Sequence, residues 1–231
     1  VGSSENRSDD VYALRMLTSD RTLSQSGDVS LYSNASSYVS GISFNGSGTL
    51  LIGGSTKVTV NNSSERAAGV TATELTTSYL DNASSYTVDV YSGNAFAYGI
   101  YNESGLTLNN DIDWTINASG KTYASGIRTA QTLTFQKGFS GTINSTLRGS
   151  DSGYWSHGIS GATIIVNGDF GGVINSKSTS NYGKVYGISG AVTVNGNFTS
   201  DITVSSNYGY AYGTSGGLSI AGDYAGSITA S

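Results

Sequence analysis

The 231-residue chain carries 16 acidic and 11 basic side chains, a net charge of −5, and no Lys/Arg cluster that could track a phosphate backbone, which argues against nucleic acid as a partner. Thirty-two glycines, sixteen tyrosines, no proline and no cysteine exclude a disulfide framework and a thiolate metal site, and no run approaches the roughly 18 consecutive apolar residues of a membrane-spanning helix. The Ser-, Thr- and Asn-rich remainder holds no amphipathic helix; short apolar runs alternate with Ser and Thr at period two, and the chain is read as all-β.

The first ten residues, VGSSENRSDD, have no apolar pattern and are assigned to an N-terminal tail or cap, leaving residues 11–231 as one domain able to bury a sizeable core. A start at Val1 suits a processed or excised fragment. From residue 11 onward a small or aromatic residue, a Gly and an aliphatic recur. Tyr12-Ala13-Leu14 is a candidate first copy. Ser40-Gly41-Ile42, Ala68-Gly69-Val70, Tyr98-Gly99-Ile100, Ser125-Gly126-Ile127, His157-Gly158-Ile159, Tyr186-Gly187-Ile188 and Tyr212-Gly213-Thr214 follow. Their central residues lie 28, 28, 30, 27, 32, 29 and 26 apart, the loose period of a solenoid.

A tighter spacing runs inside the units: Leu50 to Val60, Leu106 to Ile116, Leu133 to Ile143, Ile164 to Ile174, Val192 to Ile202 and Leu218 to Ile228 are each ten apart. Six residues after the first member come Ile112, Phe139, Phe170, Phe198 and Tyr224, with Thr56 as the exception. Even offsets point to one side of an extended chain, and an apolar set on one side belongs inside. Each unit thus predicts three short strands, joined by turns rich in Gly, Asn and Asp. The unit from Gly69 to Gly99 fits least well. Leu75 has no partner ten residues on, although Val88 and Val90 mark a third strand, and a distorted rung or extruded loop is expected there.

Strands that cannot bury an apolar face alone are satisfied when successive units coil and equivalent strands stack in parallel, about 4.8 Å apart. The prediction is a right-handed parallel β-helix of about eight rungs, a rod of roughly 40 Å. The six-residue period of left-handed hexapeptide helices is missing. Tyr98, His157, Tyr186 and Tyr212 are expected along one column.

Asp111 and Asp113 flank inward Ile112 and face out about 7 Å apart, near the carboxylate separation of inverting glycosidases. Asp169, Asn197 and Asp223 fill the slot of Asp111 on other rungs, a corner where Asp and Asn serve turn chemistry, and the turn reading is preferred. No catalytic residue is assigned. Trp114 shares the parity of Ile116 and is assigned to core or corner packing rather than to a ligand platform. The longest interval, Gly126 to Gly158, gathers Arg148, Asp151, Tyr154, Trp155 and His157. Aromatic and polar groups on a protruding loop of a rigid scaffold suit carbohydrate recognition, so these five are the candidate binding residues, weighed against an ordinary solvated loop. His157, the single histidine, sits in a slot otherwise held by Tyr, Ser or Ala, and stacking is preferred to general-base work. Nothing in the pattern calls for a metal or a cofactor.

In phrases such as GLTLNNDI (105–112) and AVTVNGNF (191–198), in its lack of cysteine and in its irregular repeat length, the chain resembles the β-helical passenger regions of bacterial autotransporters and related large surface adhesins. The resemblance implies export to the cell surface, with a role in adhesion, aggregation or display of other domains. The expectation is a noncatalytic extracellular or cell-surface rod whose partners are glycans or host-cell or sister-cell components. Two alternatives are carried: a filament subunit that associates end to end through an open strand edge, since the sequence stops about 18 residues into a rung, and a polysaccharide-active lyase or glycoside hydrolase.

Overall fold

The structure is a computed structural model and describes residues 10–34, 36–149, 153–180 and 182–231, with 81–84 as backbone only. Apart from Asp10, the segment assigned as tail or cap lies outside the described residues, as does Asp151.

Among the described residues twenty strands pair throughout in parallel with their counterparts one turn earlier and one turn later, those of the first and last coils on one side only. They lie on three faces. The first face stacks Val11–Met16, Val39–Phe44, Ala67–Thr71, Phe96–Asn102, Tyr123–Thr129, the starts of Trp155–Val166 and Lys184–Val194, and Tyr210–Thr214. The second runs from Arg21–Gln25 to Leu218–Ile220, and the third from Val29–Ser33 to Ser227–Ala230. Eight coils of three faces make a right-handed parallel β-helix with one core along its axis.

Inward residues stack on their equivalents. On the second face Leu106, Leu133, Ile164, Val192 and Leu218 share a column. On the third, Val58, Val88, Ile116, Ile143, Ile174, Ile202 and Ile228 form another. All but the last residue of each column are buried, each contributing about 1.5–3 kcal/mol relative to exposure. The corner between the two faces is lined by Ile112, Phe139, Phe170, Phe198 and Tyr224, joined in succession by single parallel bridges. Its rings follow one another at 5.3, 5.5 and 5.3 Å, a spacing that parallel stacking imposes and aromatic pairs favour.

One expected alignment is corrected. Leu50 lies over Thr77, and Leu75 pairs with Gly48 on one side and Leu108 on the other, so Leu50 stands four residues along from the level of Leu106, while Val60 stands two along from that of Ile116. The true equivalent of Ile116 in that coil is Val58, through Val88. A slip by an even number of residues keeps every side chain on its face, which is why parity alone could not reveal it. The slip also removes the exception at Thr56: it pairs with Tyr86, whose ring lies 4.4 Å from that of Trp114. Trp114 is fully buried, as its parity predicts. The irregular unit is a continuous strand, Glu74–Ser92, and its length is taken up between Leu80 and Ser85, which face Gly53 and Ser55 across a register shift.

The anchor glycines have a steric reason. The ladder runs on both sides of Gly126 but skips it, and the glycine turns toward the third face. A Cβ there would lie 2.2 Å from Ile143 Cγ2 and 2.8 Å from the carbonyl oxygen of Gly158. Gly41, Gly69, Gly99, Gly158, Gly187 and Gly213 would likewise each meet an aliphatic of the third face within 2.6 Å. None of the seven has positive φ. Outside the core, side-chain amides run along the rod: Asn117 donates to Asp89, Asn144 to Asn117 and Asn175 to Asn144, at 2.6, 2.7 and 3.0 Å.

Candidate functional site

On the first face, outward positions fall two residues after each anchor glycine and one and three before it, and each series stacks into a column. The position one before holds Tyr12, Ser40, Ala68, Tyr98, Ser125, His157, Tyr186 and Tyr212. His157 is parallel to Tyr186 at 4.9 Å, and Tyr186 to Tyr212 at 5.0 Å. The expected column is therefore present from His157 onward. Ser125 interrupts it on the side of Tyr98, and the gap is filled from the neighbouring column: Tyr123 lies 5.6 Å from Tyr98 and 5.0 Å from His157.

Three before the glycine stand Arg66, Phe96, Tyr123 and Trp155 in successive coils. Two after it stands Arg128, which bends back over the aromatic columns, its guanidinium carbon 4.5 Å from the ring centre of Tyr123 and 5.7 Å from that of Tyr98. Arg66 covers Phe96 in the same manner at 4.8 Å. Ala68, Tyr98 and Tyr123 consequently form a second apolar cluster on the outside of the helix, with Tyr38, Phe96 and Tyr101 packed around it. Tyr98, Tyr123 and His157 are 4, 5 and 3 % exposed although they point away from the core.

Between these columns and the 153–155 segment opens a groove of about 580 Å³. Arg66, Phe96, Tyr98, Tyr123, Arg128 and Trp155 are its principal lining, with Tyr154 beside Trp155 and Glu65 also on its lining. Trp155 is 42 % exposed and presents its ring to solvent. A smaller hollow of about 290 Å³ shares Arg66 and continues along the same face past Tyr38 and Tyr101.

Burial governs the protonation of the stacked rings. Burial, and secondarily the charge of Arg128, lowers the pKa of His157 to about 3, so the imidazole is neutral at ordinary pH. Its Nδ1 has no hydrogen-bond partner among the described residues, as befits a ring used for stacking. Burial pushes the phenols of Tyr98 and Tyr123 above their ordinary value. The Tyr123 hydroxyl lies near Ser160, Arg128 and Ser125 without meeting them in bonding geometry.

Of the five candidate binding residues, the structure brings Tyr154 and Trp155 to the groove and buries His157 in the adjoining stack. Arg148 goes elsewhere: it donates to the Tyr91 hydroxyl at 2.9 Å and to the Ser92 carbonyl, with its guanidinium on the Tyr91 ring. The carboxylates considered for catalysis are engaged at their corner. Ser140 donates to Asp111 at 2.7 Å, and Tyr79 to Asp113 at 2.5 Å. Asp169 and Asn197 accept from the backbone N–H of Asn197 and Asp223 one coil on. Sequence reasoning missed Arg66, Phe96, Tyr123 and Arg128. Carrying the repeat alignment three residues before and two after each glycine would have exposed their columns.

Fold and groove define a class, a parallel β-solenoid with an aromatic and cationic outer face. No protein-family model, curated protein or solved structure matches the chain.

Proposed function

We propose that this chain is a noncatalytic rod that binds through the outer face of its first wall, as an adhesive, aggregative or scaffolding element exposed at a bacterial surface, in the manner of an autotransporter passenger. The observation that carries the binding reading is the groove itself. A row of aromatic rings is held out of the core, with guanidinium groups laid across it and a half-open tryptophan beside it. The parallel ladder beneath them holds these rings in place before binding, so that little freedom is lost on binding, which favours recognition. The surface location rests on the Ser/Thr/Asn/Gly-rich, cysteine-free composition together with the solenoid architecture.

The test is retention of beads coated with the full chain on host cells, on sister cells and on immobilised glycans, compared with a Trp155→Ser/Arg128→Gln variant. Retention on at least one surface that falls severalfold in the variant is expected. Equal retention of both proteins removes the groove from the explanation, and no retention anywhere removes adhesion. Release of reducing or unsaturated sugars from acidic polysaccharide on incubation with the chain would replace the noncatalytic reading.

A further inference from the structure

We propose that the groove takes carboxylated sugars, the uronate-type residues of an acidic glycan; this deepens the binding reading above and rests on it. Three features of the groove select this occupant.

The first is charge. Arg66 and Arg128 both line the groove, and among the described residues neither has a carboxylate within ion-pair distance, the one such pair being Lys57 with Asp89. Among the described residues Glu65 is the single acid of the lining, against two guanidinium groups. The groove is thus locally positive on a chain whose net charge is −5. Each guanidinium carbon lies over a ring, 4.8 Å from the centre of Phe96 for Arg66 and 4.5 Å from that of Tyr123 for Arg128, which limits the directions its donors can take. A planar fork of that kind matches a carboxylate through two parallel hydrogen bonds.

The second is the exposed ring. Trp155, with Tyr154 beside it, offers an apolar plate next to polar groups, the pairing that accepts the C–H face of a sugar while leaving its hydroxyls to water and to Asn94 on the lining.

The third excludes the obvious competitor. An acidic peptide gains much of its affinity by adding a strand to a free edge. Here the strands that build the groove, Phe96–Asn102 and Tyr123–Thr129, are each paired on both sides by the coils before and after. A peptide lying across them finds no backbone partners, whereas a ring that stacks and a carboxylate that meets a guanidinium lose nothing.

Isothermal calorimetry of the full chain with oligogalacturonate, and with the same oligomer methyl-esterified, tests the inference. The acid should bind and the ester should bind at least tenfold more weakly. Arg128→Gln and Arg66→Gln should each weaken the acid about tenfold, and Trp155→Ser should weaken both ligands. Lys177→Gln, an exposed cation of the third face, should leave both unchanged. Near-ultraviolet circular dichroism reports whether the aromatic cluster survives in the Arg128 variant, and exposed Arg66 gives a second reading where it does not. Equal binding of acid and ester overturns the carboxylate while leaving a sugar groove in place. Tighter binding of poly-glutamate or of single-stranded DNA than of the uronide overturns the sugar. No binding of the uronide overturns the inference outright, and bead retention then decides separately whether the face binds anything.

Discussion

Replacing Gly126 by alanine separates two reasons for a glycine at the same place in successive coils. Gly126 has no positive φ, so alanine can adopt its backbone and, by restricting the unfolded chain, would stabilise the protein by about 0.4–1 kcal/mol if space were free. Space is not free. The new methyl would sit 2.2 Å from Ile143 Cγ2, where carbon contacts prefer roughly 3.5–4.0 Å, and 2.8 Å from the Gly158 carbonyl oxygen, which belongs to the next coil. Overpacking of a close-packed core costs about 1–3 kcal/mol, and the net expectation is a loss of about 1–2 kcal/mol. At about 2–4 °C per kcal/mol for a chain of this size, thermal unfolding followed by circular dichroism should show a drop of several degrees. Gly217→Ala, where nothing lies within 4 Å, is the control and should be neutral or slightly stabilising. Ile143→Ala alone should cost about 2–5 kcal/mol. Combined with Gly126→Ala it should cost at least about 0.5 kcal/mol less than the sum, because the clash has been removed. A Gly126→Ala protein as stable as Gly217→Ala would show that room between the faces is not what the glycine provides.

Two further outcomes follow from burial. Ile202→Asp places a charge in the sealed third-face column and should cost roughly 3–5 kcal/mol, whereas Thr203→Asp, one residue along and exposed, should change urea unfolding by less than about 0.5 kcal/mol; similar losses at the two sites would mean that the faces are misassigned. His157, with its folded pKa of about 3 below the ordinary 6.5, leaves the unfolded chain as the better proton binder between those values. Its contribution to stability is complete above pH ~6.5 and declines as the pH falls toward 3, by about 2 kcal/mol between pH 7 and pH 5. His157→Tyr, which copies the neighbouring coil, should remove that part of the dependence in urea unfolding at the two pH values, and an unchanged slope would show that the imidazole is not held neutral.

Much of the helix could be read from the chain because a solenoid repeats one local rule. Alternation named the inward residues, the ten-residue offset named the stacked pairs, and the Phe column from Phe139 to Phe198 followed from both. The unit from Gly69 to Gly99 resisted, since the correct pairing of Leu75 with Leu108 depends on how far the strand slides along its neighbour, and a slide of two leaves the pattern of sides unchanged. The groove resisted for a different reason. Tyr154, Trp155 and His157 stood out as an unusual local group, but Arg66, Phe96, Tyr123 and Arg128 come from three coils separated by about thirty residues each and look like ordinary surface positions in sequence. Arg148 was grouped with Trp155 by proximity along the chain, yet its guanidinium turns toward Tyr91 and Ser92, two coils away.

What the sequence determined by itself was the class of fold and the side on which each residue lies, because both depend on the two-residue period of an extended strand and on turn chemistry, which are local. What tertiary structure decided was how far the coils slide past each other, why the anchors are glycine, and which outward side chains meet. Those depend on distances between faces and between successive coils, set by packing in the assembled helix, and no stretch of the chain contains them.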